Sequence, residues 1–110
     1  MLDNFPKWEY YTGMRIIAIK TLKDFWKTRK DSEEPLKAWY HEVKKEVWKG
    51  SNDIKKKYKS ASILSNNRAI FNIKGNKYRL IVAINYNLQI VFIRFIGTHE
   101  EYNKINAKEI

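Results

Sequence analysis

The sequence predicts an α+β fold, with a small twisted antiparallel sheet packed on an N-terminal helical hairpin. Three observations lead there. Apolar residues alternate along Arg68 to Phe95, with turn residues at Gly75-Asn76 and near Asn87-Leu88, the pattern of consecutive antiparallel strands. Upstream, Leu36, Trp39, Tyr40, Val43 and Val47 recur at i, i+3, i+4, i+7 and i+11, one face of an amphipathic helix. The chain has 110 residues, which suits one domain that buries roughly 65% of its unfolded surface.

In chain order, Met1 to Gly13 (MLDNFPKWEYYTG) shows no clear period. Residues 1–13 read as an N-terminal extension to a single domain over residues 14–110, with Met14 an alternative start. Arg15 to Ile19 is strand-like. Thr21 with Asp24 three residues on resembles a capping box, which starts a short helix from Leu22 to about Arg29. Asp31 or Ser32 caps the next helix, Pro35 is tolerated in its first turn, and Gly50 terminates it. So short a linker makes the two helices a hairpin, whose aromatic stripe covers the sheet. Asp53 to Lys59 (DIKKKYK) is either one more helical turn or a basic loop. Ala61 to Leu64 reads as a short strand, and Ser65-Asn66-Asn67 as a turn.

Gly75-Asn76 suits a type II′ hairpin turn, where glycine supplies φ > 0. Lys74 then pairs with Lys77, Ile73 with Tyr78 and Asn72 with Arg79. One face carries Ala69, Phe71, Ile73, Tyr78, Leu80, Val82 and Ile84, all apolar or aromatic. The other carries Arg68, Asn72, Lys74, Lys77 and Arg79, with Ile70, Ile81 and Ala83 among them. An antiparallel sheet commonly has one dry and one wet face. An even-length second loop adds Val91, Ile93 and Phe95 to the dry face and Arg94 to the wet one, near Arg79. Gly97-Thr98-His99 emerge beside Lys77 and Arg79. A last short helix, about Glu100 to Ile105, carries Tyr102.

Lys and Arg number 22 against 12 Asp and Glu, a net charge of +10. So large an excess points to a polyanionic partner. There is no cysteine, which excludes disulfides, thiolate metal sites and cysteine nucleophiles. No run approaches the ~20 apolar residues of a membrane span, and the N-terminus lacks the apolar core of a secretory signal. A cytoplasmic protein with no membrane contact is expected.

The wet face gathers Asn72, Lys74, Lys77, Arg79, Arg94, His99 and Tyr102 at one end of the sheet. No carboxylate cluster accompanies them: Asp31 and Asp53 stand alone and Glu100-Glu101 is a single pair. Two-metal nuclease chemistry is therefore disfavoured, and two histidines are too few for most zinc sites. No metal and no cofactor are expected. RNA carries its own nucleophile, the 2′-OH, so an enzyme need only move protons and neutralise a phosphorane. His99 and Tyr102 can exchange protons, and Arg79 and Arg94 can hold phosphate oxygens. Arg68, Asn72, Lys74, Lys77, Lys55 and Lys57 are candidate RNA-binding residues. Each has an ordinary alternative. His99 can close a strand end, Tyr102 can anchor a terminal helix, and Lys55 to Lys57 can be solvated charge. His41 reads as structural. The convergence of the set carries more than any member.

FNIKGNKYRL (Phe71 to Leu80) and RFIGTHEEYNKI (Arg94 to Ile105), with LKAWYHEVKK and IKKKYKSASIL, resemble the HigB-type toxins of bacterial toxin–antitoxin pairs. These are RelE-like mRNA interferases, and the resemblance runs from Met14 to about Ile105. It implies metal-independent, ribosome-dependent cleavage of mRNA. It also implies a HigA-like helix-turn-helix antitoxin, through which alone operator DNA would be met. Carried over by resemblance, Arg79 matches the strand arginine after the hairpin, His99 the basic residue after the last strand, and Tyr102 the following tyrosine. Such enzymes tend to carry lysines on the strand before the hairpin, where this chain has Ile70 and Asn72, with only Lys74 basic. Two other readings stay open: a gyrase-inhibiting toxin on the same fold, and a non-catalytic RNA- or ribosome-binding module.

Overall fold

The structure is a computed structural model that describes residues 13–110. The expected extension over residues 1–13 therefore lies outside the described residues, Gly13 excepted. Strand β1 (Arg15–Ile17) leads into helices α1 (Ile19–Thr28) and α2 (Glu33–Lys44), joined by a single 3-10 turn at Lys30–Ser32. Helix α3 (Ser51–Lys57) and strands β2 (Ser62–Leu64), β3 (Arg68–Ile73), β4 (Tyr78–Asn85) and β5 (Ile90–Thr98) follow, and α4 (His99–Tyr102) closes the order. Among the described residues the sheet order is β1-β5-β4-β3-β2. The α+β class is as expected. The sheet is mixed, because β1 pairs in parallel with β5, Arg15 opposite Ile90; β2 to β5 are antiparallel throughout.

The Gly75 hairpin has the expected register: Ile73 faces Tyr78 and Asn72 faces Arg79. Gly75 sits at φ 66° and Lys74 also at φ 57°, so the turn's left-handed conformation begins one residue early. The seven residues expected on the dry face are all buried in the main core. Helices α1 and α2 lie over them. Phe25 meets Tyr78 edge-on at 5.1 Å, and Trp39 meets Phe71 at 5.4 Å, the geometry aromatic quadrupoles prefer.

Four features differ from expectation, each for a local reason. Helix α1 starts at Ile19 because Ala18 turns the chain at φ 72°. Asp24 serves Lys20 at 2.7 Å instead of Thr21, so the Thr21 capping box does not form. The Ser32 hydroxyl donates to Arg29 O at 2.6 Å and makes no side-chain cap for α2. Helix α2 ends at Lys44, well before Gly50, which instead precedes α3. Val47 is consequently 49% exposed, while Trp48 turns inward and is wholly buried. The basic stretch after Asp53 is helical, as one of its two readings held.

The fourth difference shapes the site. The register between β4 and β5 shifts at Ile81/Val82, where Val82 faces Ile93 but Ile81 faces Phe95. Arg94 is the extra residue of a β-bulge, which exchanges the two faces beyond it. Phe95 therefore leaves the expected dry face and packs in a second cluster with Ile70 and Ile81, while Ile96 enters the main core in its place. That second cluster also holds Tyr102, Ile105, Ala107 and Ile110. The face expected to be wet is covered at its centre by the segment after α4.

Candidate functional site

The site forms where β5 returns to the Gly75 hairpin. Thr98 faces Tyr78 and Gly97 faces Arg79. A Cβ on residue 97 would lie 2.6 Å from the Phe95 ring and 2.8 Å from Glu101 Oε1, so glycine lets the chain turn tightly into α4. A capping box holds that turn: the Glu101 N–H donates to Thr98 Oγ1 at 3.2 Å, and the Thr98 N–H to Glu101 Oε1 at 2.8 Å. The Thr98 N–H and, next in weight by charge, Arg29 hold the Glu101 carboxyl below its ordinary value. The T-H-E-E string is the sequence signature of this cap, and sequence reasoning passed over it.

Helix α4 presents His99 and Tyr102 three residues apart, on one helical face. The Tyr102 ring packs against the Arg79 guanidinium, 4.9 Å from ring centroid to Cζ. Arg79 Nε is buried with no hydrogen-bond partner among the described residues. The His99 ring bonds through Nε2 to the Asn76 carbonyl of the hairpin turn. A carbonyl only accepts, so Nε2 carries the proton, and in the neutral ring Nδ1 keeps a free lone pair. Arg29, Lys77, Thr98, His99, Glu100, Glu101 and Lys104 line a shallow groove there. Arg29 and Lys104 are groove residues the sequence reading did not name; Arg29 comes from the distant end of α1 and Lys104 from the segment just after α4.

Asp31, in the 3-10 turn, ties this hairpin to the helices. It accepts from Lys77 Nζ and from Tyr78 Oη, the latter at 2.6 Å. Lys77 first, then Tyr78, lowers the Asp31 carboxyl below its ordinary 3.8. A depressed carboxyl stabilises the fold above its unfolded value and loses that contribution as pH falls through the folded one. The stability gap between the native chain and Asp31→Asn should therefore hold constant from neutral pH to about pH 4 and close below it. Urea unfolding across that range measures it; a gap unchanged at pH 2 would show that the carboxylate does not act through its charge.

The other expected site residues are placed as follows. Asn72 lies opposite Arg79 and donates to Ser60 O at 3.2 Å. Lys74 is exposed on the turn. Lys55 Nζ donates to the Lys59 and Ala61 carbonyls at 2.8 and 2.7 Å, and Lys57 pairs with Glu46 at 2.9 Å. Arg94 was expected beside Arg79. The bulge instead directs its Nε to the backbone oxygen of Ile110, 3.2 Å away, which Arg68 also contacts. Among the described residues no three His, Asp or Glu side chains group closely enough to hold a metal ion, and no helix is long and apolar enough to cross a membrane.

A small basic α+β domain that sets an arginine, a tyrosine and a histidine together at a sheet rim is equipped to handle a phosphodiester. Comparison with known families identifies the kind of protein. The family model for HigB toxin, described as the RelE-like toxic component of a toxin-antitoxin system, matches residues 32–105. The chain belongs to this toxin family. Membership implies an antitoxin partner. No curated protein matches the sequence.

Proposed function

We propose that this toxin is an endoribonuclease that cuts mRNA on the ribosome by attack of the RNA's own 2′-OH, with no metal. The observation that carries the reading is the Arg79–Tyr102 stack, in which a buried arginine Nε has no partner among the described residues and the tyrosine shares its short helix with His99. The 2′-oxygen attacks the adjacent phosphorus as its proton leaves to a base. The P–O5′ bond breaks and the leaving oxygen takes a proton from an acid, leaving a cyclic 2′,3′-phosphate end. His99 Nδ1 is the leading proton-exchange group, with Tyr102 Oη the second. Arg79 holds the phosphorane oxygens, and the ring of Tyr102 keeps the guanidinium flat and in place. Lys77, Lys74 and Asn72 border the path of the RNA backbone. A HigA-like helix-turn-helix antitoxin neutralises the toxin and carries any operator binding.

Primer extension on mRNA after induction, repeated with purified toxin and ribosomes in EDTA, tests this reading. Discrete cuts that persist in chelator are expected. Growth arrest with intact transcripts would remove the nuclease reading, and an accompanying DNA-damage response would point to gyrase instead.

A further inference from the structure

Away from the hairpin, two further arginines converge on one acceptor. Arg68 reaches the backbone oxygen of Ile110 through Nε at 3.3 Å and Nη2 at 2.9 Å, and Arg94 through Nε at 3.2 Å. Among the described residues neither is paired with a carboxylate side chain. Several guanidinium donors on one oxygen are the arrangement that suits a phosphate. Arg68 faces Ala83, which lies on the same side of β4 as Arg79 and four positions along, about 13 Å at ~3.3 Å per residue. Both groups therefore lie on the sheet face away from α1 and α2.

What separates them is the 103–110 segment. It is folded on itself through Asn106, whose carbonyl accepts from the Glu109 and Ile110 N–H groups at 3.1 Å each. It rests on the sheet through Ala107, Ile105 and Ile110, packed with Ile70 and Ile81. Ile81 lies between Arg79 and Ala83, and Ile70 between Asn72 and Arg68. Beyond these contacts, Asn66 Nδ2 donates to Lys108 O at 3.2 Å. So small an apolar footing belongs to the low-stability end of a fold, where local opening occurs.

We propose that Arg68 and Arg94 form a second anion subsite, for a phosphodiester of the bound RNA, which the 103–110 segment occupies in its absence. The inference rests on RNA being the substrate. An RNA strand that spans both arginine groups has to cross the place of Ala107, so the segment swings off as the strand enters. Its Ile110 oxygen gives way to a phosphate oxygen. The segment is then a competitor within the chain, and the apparent RNA affinity is reduced by the fraction of molecules that are open.

The test uses a fluorescent, uncleavable 2′-O-methyl oligouridylate, so that binding is read apart from cleavage. Ala107→Asn in the full chain loosens the segment and should tighten binding roughly fivefold or more. Adding Arg68→Gln and Arg94→Gln should abolish that gain. Hydrogen exchange on the unaltered chain covers the case in which Ala107→Asn unfolds: the Glu109 and Ile110 amides should exchange faster once RNA is bound. Binding no tighter in a folded Ala107→Asn chain, a gain that survives loss of both arginines, or slower exchange at Glu109 and Ile110 would each overturn the subsite. A complete lack of RNA binding would overturn the nuclease reading along with it.

Discussion

Arg79→Ala should lower mRNA cleavage by about 10²-fold or more, the usual cost of removing one donor aimed at developing charge. The reason lies in its setting. The guanidinium is held between β4 and the Tyr102 ring, with its Nε buried and unbonded. A donor positioned before the reaction has no reorganisation to undergo when charge builds on phosphorus. Arg79→Lys should not rescue, because an ammonium neither stacks flat on the ring nor presents a planar fork. Tyr102 separates two roles. Tyr102→Phe keeps the stack and removes the hydroxyl, whereas Tyr102→Ala removes both. If the ring mainly seats Arg79, Phe should retain most activity and Ala should resemble Arg79→Ala. His99→Ala should fall by a similar factor, with thermal unfolding little changed. Single-turnover cleavage on programmed ribosomes measures all five. Near-full activity in both Arg79→Ala and His99→Ala would show that the chemistry lies elsewhere.

The dry face was readable because strand alternation reports burial directly. Glycine at the turn set the register, and the seven positions from Ala69 to Ile84 followed from it. The bulge at Arg94 was not readable. Val91 to Ile96 is almost continuously apolar, so either face assignment satisfied the pattern. Only the pairing decides it, and the pairing placed Phe95 on one face and Ile96 on the other. The parallel edge strand was hidden for a related reason. Three residues make too short a pattern to reveal a partner distant in the chain.

The candidate site divides the same way. Arg79, His99 and Tyr102 were reachable because each follows from one turn: the hairpin places Arg79, and the return of β5 places the other two. Arg94 was named for holding phosphate oxygens beside Arg79, and Arg68 for binding RNA, but the two were not named as a pair. Their common partner is a backbone oxygen, and backbone acceptors leave no trace in side-chain pattern. The cover over Ile70 and Ile81 was legible in part. Two isoleucines on a supposedly wet face already asked for a partner, and Ile105, Ala107 and Ile110 supply it.

Trp48→Ala should be the most damaging change to stability, about 3–5 kcal/mol, a large share of the 5–15 kcal/mol typical of a whole domain. Helical periodicity runs through Val47, yet Val47 is exposed and Trp48 is the residue the core takes. Its indole stacks on Phe71 at 6.1 Å and 19°, and meets Tyr58 edge-on at 6.4 Å. Gln89 fixes the backbone behind it, accepting from the Trp48 N–H at 3.2 Å and donating to the Trp48 carbonyl at 2.6 Å. This clamp joins the segment between α2 and α3 to the β4–β5 turn, which holds the backbone against collapsing into the space the indole would leave. The urea midpoint should fall with the slope unchanged, and the melting temperature by roughly 12 °C or more. Gln89→Ala should cost less, about 1–3 kcal/mol, since it leaves three backbone groups unbonded, the Trp48 N–H and the Trp48 and Tyr86 carbonyls, but no comparable cavity. Val47→Ala should lie within about 0.5 kcal/mol of the native chain. The order of Trp48 and Val47 is decisive: a costly Val47→Ala beside a mild Trp48→Ala would mean that α2 continues toward Gly50 as its sequence period suggests.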